Sequence, residues 1–269
     1  MKLLGIYKDM KDIIIDSFGD LVSKLSTLLN EENIYRGYNR IEELYPVLFR
    51  KEYYKENKEE MKCLERDLLS EFEKYAMAYI SPLNEMEFLA YAQHYGLPTR
   101  LLDFTYNPYI SLFFAINDEK TEDGYYKIII CPKEKCTEID VYHNPSRRQI
   151  RNMETNKISP FDYYAKTSYS SMLCKRFNEW GHSDNIRIIE PNFGNVRILM
   201  QQGLFVIARN YDKNSFLETL MNNSYVIKIN SSLRDMIIKW LDKMGFNSYR
   251  LMPDLTSLCF SIKKKYKRE

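Results

Sequence analysis

Residues 93–105 concentrate polar side chains between two apolar segments of the chain, and they include His94, Arg100 and Asp103. Polar groups beside a core lower stability unless they find partners, so this density indicates a site rather than a simple connector. An imidazole is readily tuned near neutral pH, and His94 could therefore accept a proton or hold a sugar hydroxyl. The alternative is that His94 is a structural histidine at the end of a helix.

The spacing of Arg100 and Asp103 separates their side chains. The sequence predicts a buried strand over residues 99–104, and side chains three positions apart on a strand face opposite sides. We therefore expect each of the two to have its own partner. One of them points to the site, and the other fixes the scaffold.

A second candidate is Tyr35-Arg36-Gly37, at the end of a strand predicted over residues 33–37. An arginine offers a planar fork that suits a phosphate or carboxylate, and glycine lets a ligand approach the backbone closely. Tyr35 could stack on a flat ring. The alternative is that Arg36 makes a structural ion pair while Gly37 closes a turn.

A third cluster lies in residues 195–205. Arg197 and Gln201 are four positions apart and share a helical face. Gln202 precedes the glycine that opens a predicted strand, which places its side chain at a sheet end. Glu190, closing a strand predicted at residues 186–190, is the nearest carboxylate that could do chemistry. Its alternative is an exposed acid at a strand end.

These residues must be positioned by a mixed set of helices and strands. An amphipathic helix is predicted over residues 9–29, with Ile13 and Ile14 on its apolar face. A second helix spans 57–80, with a buried face that includes Tyr75 and Tyr79. Further helices are predicted at 84–95, 107–116, 214–222, 231–244 and after 254, and further strands at 125–131, 204–208 and 225–229. Without a regular βαβ rhythm, this order predicts an α+β or mixed α/β fold in one domain.

Composition excludes several classes of protein. The chain has 269 residues, 45% hydrophobic and 28% charged, with a net charge of +2, and it offers no basic footprint for duplex binding. The nine glycines form neither GxGxxG nor a P-loop. Cysteine and histidine spacings match no common zinc site, so we expect no metal. No run approaches the ~18 apolar residues of a bilayer span, and we expect a cytoplasmic protein without a membrane partner.

Together these clusters resemble the FRG domain, a bacterial and phage family named for a Phe/Tyr-Arg-Gly motif. Tyr35-Arg36-Gly37 matches that motif, and residues 92–103 match the family's most specific signature. Pro46 and Arg50, residues 107–115, residues 197–205 and residues 252–255 resemble further family elements. The resemblance is strong over about 31–117 and implies a 1–30 N-terminal helical extension, followed by the FRG domain with a C-terminal extension over 31–269.

The strand-borne Tyr-Arg-Gly is also similar to the first motif of the arginine-type ADP-ribosyltransferases. This resemblance implies a transferase-like fold around a split central sheet, with NAD as substrate. Arg36 and Gly37 would bind NAD, Tyr35 or Tyr95 would stack near nicotinamide, and Arg100 would hold a phosphate. The segment around Asp103–Asn107 would take the place of the second motif, with Asp103 among the residues that bind NAD, and Gln202 would take that of the third.

The chemistry would pass through an oxocarbenium-like state, which a carboxylate normally stabilises. Gln202 cannot supply that charge, which leaves Glu190, Glu87 or Asp103, with His94 positioning the ribose or the acceptor. The resulting hypothesis is an effector that modifies nucleic acid or protein in phage defence or a toxin system. A non-catalytic module that recognises a nucleotide or a protein is the alternative. A nuclease is disfavoured, because no paired carboxylates or histidines mark a metal site.

Overall fold

A computed structural model describes residues 12–80, 84–117, 121–139, 173, 186–190, 196–208 and 210–266. His143, His182 and Cys174, which entered the argument against a metal, lie outside the described residues, as do residues 9–11 of the first predicted helix. No helix in the described ranges is long and apolar enough to cross a membrane.

The described residues form one mixed sheet of eight strands, in the order β1-β8-β4-β2-β3-β7-β6-β5. β1 runs parallel to β8 and β5 runs parallel to β6, whereas the other neighbours are antiparallel. The strands are β1 Ile13–Ile15, β2 Asn33–Tyr38, β3 Leu101–Thr105, β4 Tyr125–Pro132, β5 Cys136–Glu138, β6 Ile186–Ile189, β7 Gly203–Ile207 and β8 Tyr225–Asn230.

Helices cover both faces of this sheet, and the predicted mixed α/β class is confirmed. They are α1 Phe18–Leu28, α2 Lys58–Ala76, α3 Glu85–His94, α4 Pro108–Ile116, α5 Val196–Met200, α6 Lys213–Asn222, α7 Arg234–Lys243, α8 Ser248–Leu251 and α9 Leu255–Tyr266. Short 3-10 turns at Ile41–Leu44 and Val47–Phe49 follow β2.

Alternation along the strands divides the core between two faces. Ile34 on β2 and Leu102 on β3 belong to a cluster that α6 covers through Phe216; we call this side the Ile34 face. Tyr35 on β2 packs with α1, α4 and α7, and Leu101 on β3 packs with α3. We call this second side the Tyr35 face.

Local signals fix the helices that lie nearest the candidate residues. The side chain of Asn84 accepts a hydrogen bond from the Glu87 N–H at the start of α3, and Asn107 caps α4 in the same way. Gly96 has φ 88° just after α3, a left-handed conformation that glycine adopts without strain. The predicted starts and ends of these two helices are therefore confirmed.

Two predicted helices need correction. Ile13 and Ile14 do not begin a helix but form β1 with Ile15, because three consecutive β-branched residues favour a strand and pair with β8. The helix starts only after Ser17, whose hydroxyl caps it. In α2 the buried residues are Met61, Glu65, Leu69 and Ala76, whereas Tyr75 and Tyr79 are 58% and 88% exposed.

The sheet curls so that its strands enclose the Ile34 face. β2, β3, β7 and β6 lie between β4 and β5 in the sheet, a distance of about 24 Å in a flat sheet at ~4.8 Å per strand. Only Lys133–Lys135 connect β4 to β5, and such a link spans about 14 Å at most. The sheet must therefore bend back until the end of β4 meets the start of β5.

The two central strands touch at one end only. β2 pairs with β4 along its whole length, whereas its described pairing with β3 is a single pair, Tyr35 opposite Thr105. Beyond that pair the side chain of Arg36 spans from β2 to the backbone of β3, donating from Nη1 to the Asp103 carbonyl at 2.7 Å. The Arg36 side chain thus takes the place of backbone hydrogen bonds between the two central strands.

Candidate functional site

A chain of side-chain hydrogen bonds holds the carboxylate of Asp103 at the surface of β3. The Thr99 hydroxyl donates to Gln93 Oε1 at 2.6 Å. This bond orients the amide, whose Nε2 donates to Asp103 Oδ2 at 3.2 Å. Asp103 is exposed between buried neighbours on β3. The Gln93–Asp103 stretch therefore presents one fixed anion on the Tyr35 face.

His94 ends α3 beside this carboxylate and is half-buried. Burial is the main cause that lowers the pKa of His94 below its ordinary value, and the nearby cation of Arg197 adds to it, while the carboxylates of Asp254 and Asp103 act in the opposite direction. Burial and the Arg197 cation therefore favour the neutral form of this imidazole. We call Gln93, His94, Asp103, Arg197 and Asp254 the Asp103 cluster.

Side-chain hydrogen bonds to backbone carbonyls hold α5 and α8 close to this cluster. Thr105 Oγ1 donates to the Gln201 carbonyl at 2.7 Å, and Gln201 Nε2 donates to the Leu251 carbonyl at 2.8 Å. These bonds fasten the end of α5 to β3 on one side and to α8 on the other. Arg197 on α5 and Asp254, just after α8, are thereby held near His94.

Arg36 lies at the opening between β2 and β3, half-buried, and backbone groups occupy its guanidinium. Nη1 donates to the Asp103 carbonyl, while Nε and Nη2 donate to the Glu43 carbonyl at 3.1 and 2.8 Å. Burial lowers the pKa of Arg36, an effect that the Asp103 carboxylate opposes and that the nearby Arg50 cation reinforces. Arg36 therefore acts here as a positioning group for the strand that carries Asp103.

Arg36 and His94 lie on different sides of the sheet. Strand alternation directs the Arg36 side chain to the Ile34 face, whereas α3 and His94 cover the Tyr35 face. Asp103 connects the two, since its carbonyl accepts from Arg36 and its carboxylate accepts from Gln93. The structure thus links the two predicted residues through β3 without bringing them into one cleft.

Gly37 allows α4 to pack closely against β2, whereas the sequence predicted that a ligand would approach the backbone there. A Cβ at this position would lie 2.5 Å from the Ala115 N and closer still to the Ser111 carbonyl oxygen, both in α4. The neighbouring Tyr35 is 1% exposed, and its hydroxyl donates to the Leu28 carbonyl at 2.9 Å. Helices therefore occupy the space at both residues, and neither is placed to meet NAD.

Arg100 is buried, which corrects its expected contact with a phosphate. Its Nε donates to Glu65 Oε1 at 2.8 Å, and Nη2 forms a second bond to Glu65. The guanidinium lies 4.2 Å from the ring centroid of Tyr211, whose hydroxyl donates to Glu65 at 2.6 Å. Arg100 therefore fixes α2 to the sheet, and Asp103, on the opposite side of the strand, faces solvent, as their spacing predicts.

Glu190 does not reach the Asp103 cluster. It follows β6 on the Ile34 face, where it accepts a hydrogen bond from the Tyr106 hydroxyl and lies 3.8 Å from Lys133 Nζ. Burial, together with the bond to Glu190, raises the pKa of Tyr106. Glu190 therefore has a local partner on the face of the sheet opposite His94.

Gln202 and Tyr95 are both solvent-exposed. Gln202 has φ 45° in the turn before β7, and its carbonyl accepts from the Tyr106 N–H at 3.1 Å. Tyr95 is 66% exposed, with its ring edge-on to His94 at a centroid distance of 4.9 Å. Of the predicted residues, His94, Tyr95 and Asp103 are neighbours at one surface.

Sequence reasoning did not assign roles to Gln93, Arg197 and Asp254 at this site. Gln93 carried a signal, because it belongs to the same signature as His94 and Asp103. Glu65 carried another, since a carboxylate on the apolar stripe of α2 between Met61 and Leu69 needs a buried cation. Within the described ranges no group of three or more His, Cys, Asp or Glu side chains could hold a metal ion.

Comparison with known proteins gives one match. No curated protein and no solved structure matches the chain. A family model described as FRG domain matches residues 31–124, a range that contains β2, α3, β3 and α4. Gln93, His94, Asp103 and the opening at Arg36 all fall within it. Residues 31–124 of this chain are therefore similar to the FRG domain family.

Proposed function

We propose that the FRG domain of this chain is an ADP-ribosyltransferase-like module that uses NAD at the Asp103 cluster and transfers ADP-ribose to a protein or nucleic acid. The observation that carries the proposal is the exposed Asp103 carboxylate, held by Gln93 beside a half-buried imidazole. An anion at a fixed position is what an oxocarbenium-like state requires. Asp103 is the carboxylate, among those considered, that lies next to His94.

Three members of the cluster each take a step in this chemistry. Arg197 binds a phosphate of the dinucleotide through a charge-assisted hydrogen bond. The bond between nicotinamide and ribose breaks, nicotinamide leaves with the bonding electron pair, and Asp103 stabilises the cation on the ribose. The acceptor then bonds to the ribose carbon and gives up its proton to the neutral His94. Arg36, on the opposite face of the sheet, holds this part of β3 in place by donating to the Asp103 carbonyl.

The hydrogen bonds of Arg36 favour a second function, which is recognition of a nucleotide without reaction. The donors of Arg36 that bond to the carbonyls of Glu43 and Asp103 are committed to backbone rather than to a dinucleotide. In that case NAD or a related nucleotide binds at the cluster and is released unchanged. Calorimetric binding without loss of NAD separates this function from transfer.

The test is incubation with NAD labelled in its adenylate phosphate, together with protein, DNA and RNA acceptors. We expect wild-type protein to consume NAD and to label one acceptor class. Asp103→Asn should lower both rates about a hundredfold or more, the size of effect typical of a group that acts in the transition state.

Two controls change a carboxylate to an amide elsewhere. Glu190→Gln removes the alternative carboxylate on the Ile34 face, and Asp235→Asn removes an exposed one on α7; both should retain the wild-type rates. Absence of NAD loss and of labelling in all acceptors, or equal rates for wild type and Asp103→Asn, contradicts the proposal.

A further inference from the structure

Two thiols meet where the edge strand β5 begins beside the end of β4. Cys131 lies near the end of β4 and Cys136 opens β5, and their Sγ atoms are 3.5 Å apart. Both sulfurs also approach the Pro132 carbonyl, at 3.5 and 3.6 Å. A disulfide bond is about 2.0 Å long, so small side-chain rotations separate this arrangement from a covalent link.

The two thiols differ in access and in surroundings. Cys131 is buried against the core of the Ile34 face, whereas Cys136 is half-buried at the edge strand. The hydrogen bond from Cys131 lowers the pKa of Cys136, and the nearby Lys133 cation acts in the same direction. The same bond, and after it burial, raises the pKa of Cys131. Cys136 is thus the reactive sulfur and Cys131 the resolving one.

We propose that Cys131 and Cys136 form a reversible disulfide site, oxidised by a hydroperoxide, which closes the short turn between β4 and β5 into a covalent ring. The Cys136 thiolate attacks the peroxide, so that the O–O bond breaks and Cys136 becomes a sulfenic acid. The Cys131 sulfur then attacks Cys136 Sγ and displaces water. Two thiols are oxidised to one disulfide, hydrogen peroxide is reduced to two waters, and a dithiol reagent reverses the change.

The position of the pair gives this link a structural consequence. Four strands, β2, β3, β7 and β6, separate β4 from β5 in the sheet. Along the chain, the short Lys133–Lys135 turn connects β4 directly to β5. The bond would close that turn into a ring and fix the start of the edge strand β5 to the end of β4.

The experiment exposes the full-length protein to hydrogen peroxide in slight excess, alkylates the remaining thiols after denaturation, and identifies peptides by mass spectrometry. We expect the peptides containing Cys131 and Cys136 to be joined, unalkylated and lighter by two hydrogen atoms. Cys63 and Cys259, which are exposed, should remain alkylated in the same sample, and treatment with dithiothreitol should restore alkylation of the pair.

Two variants test the assigned order of the steps. Cys131→Ser should stop the reaction at the Cys136 sulfenic acid, which dimedone traps, whereas Cys136→Ser should leave Cys131 fully alkylatable. Cys63→Ser, the matched control, should form the disulfide as wild type does. The proposal is overturned if Cys63 or Cys259 oxidises before Cys136, or if Cys136 proceeds to the sulfinic acid while Cys131 stays a free thiol.

Discussion

Arg100 and Glu65 form an ion pair almost completely withdrawn from water, with side chains 1% and 2% exposed. Removing one partner would leave the other charge buried without compensation, which is far more costly than losing an exposed pair. We expect Arg100→Met to lower the free energy of unfolding by about 3–5 kcal/mol, measured by urea denaturation.

An exposed pair on the same helix supplies the control. Lys62 and Glu59 bond at 2.7 Å with side chains 45% and 76% exposed, and Lys62→Met should cost no more than about 1 kcal/mol. Equal losses for the two substitutions would show that Arg100 is not held as described. A ligand-binding role for Arg100 would then regain support.

His94 should titrate below its ordinary pKa of 6.5, because burial and then the Arg197 cation disfavour its protonated form. An NMR titration of the imidazole, assigned with His94→Gln, measures this directly. Arg197→Gln should move the pKa of His94 upward, whereas Lys239→Gln on α7 should leave it unchanged. A midpoint above 6.5 in the wild-type protein contradicts the arrangement.

The lowered pKa of His94 also determines in which direction the free energy of unfolding changes with pH. Since the pKa of His94 is lower in the folded protein, the unfolded chain binds the proton more readily. His94 therefore contributes stability above pH 6.5, and that contribution is lost as the pH falls through the folded-state value. The slope of unfolding free energy against pH in this window should be smaller in His94→Gln.

At the scale of elements, Gly37 sets how closely α4 approaches β2. A methyl group there would overlap the backbone of Ser111 and Ala115, so the helix would have to move away from the strand. We expect Gly37→Ala to lower the free energy of unfolding by about 1–3 kcal/mol, the usual cost of overpacking, in a chemical denaturation experiment.

Gly19 offers a matched comparison within α1. A Cβ there has Ser17 Oγ as its nearest neighbour, at 4.0 Å, and alanine favours a helix over glycine by about 0.5–1 kcal/mol. Gly19→Ala should therefore leave stability equal or slightly raised. If Gly37→Ala is tolerated as well as Gly19→Ala, the close packing of α4 on β2 is incorrect.

Elements marked by caps and breakers were predictable from the sequence, whereas those decided by distant partners were not. Asn84, Gly96 and Asn107 define the ends of α3 and the start of α4 through local hydrogen bonds and backbone conformation. The strand at Ile13–Ile15 depends instead on pairing with β8, more than two hundred residues later. A helical period cannot reveal such a partner.

The same distinction applies to the site. The polar run that contains His94 and Asp103 was visible, and the opposite directions of Arg100 and Asp103 followed from the strand period. Which of the two was buried depended on Glu65, on another helix. The separation of Glu190 from His94 depended on the order of the strands, which the sequence pattern does not specify.

For the whole molecule, the N-terminal residues described from Asp12 onward share a core with the part of the chain that matches the family model. Leu21, Leu25 and Leu28 on α1 are buried with Tyr35 and Ile110, although an extension over 1–30 separate from residues 31–269 remains a prediction. If α1 belongs to one cooperative unit, Leu25→Ala should lower the global free energy of unfolding by about 2–5 kcal/mol.

Leu29 provides the control, because it follows Leu28 in the same segment but is 54% exposed. Leu29→Ala should change the free energy of unfolding by about 0.5 kcal/mol or less. Calorimetry on both variants checks the point. A separate early transition in Leu25→Ala, with the main transition unchanged, would show that α1 is an independent extension.

The most direct test of the proposed site is to map where NAD binds, using backbone amide shifts in NMR spectra recorded during a titration. We expect saturable shifts at Gln93, His94 and Asp103, which Asp103→Asn weakens and Glu190→Gln does not. Shifts centred on Tyr106 and Glu190 across the sheet, or no shifts at millimolar NAD, would contradict a nucleotide site at the Asp103 cluster.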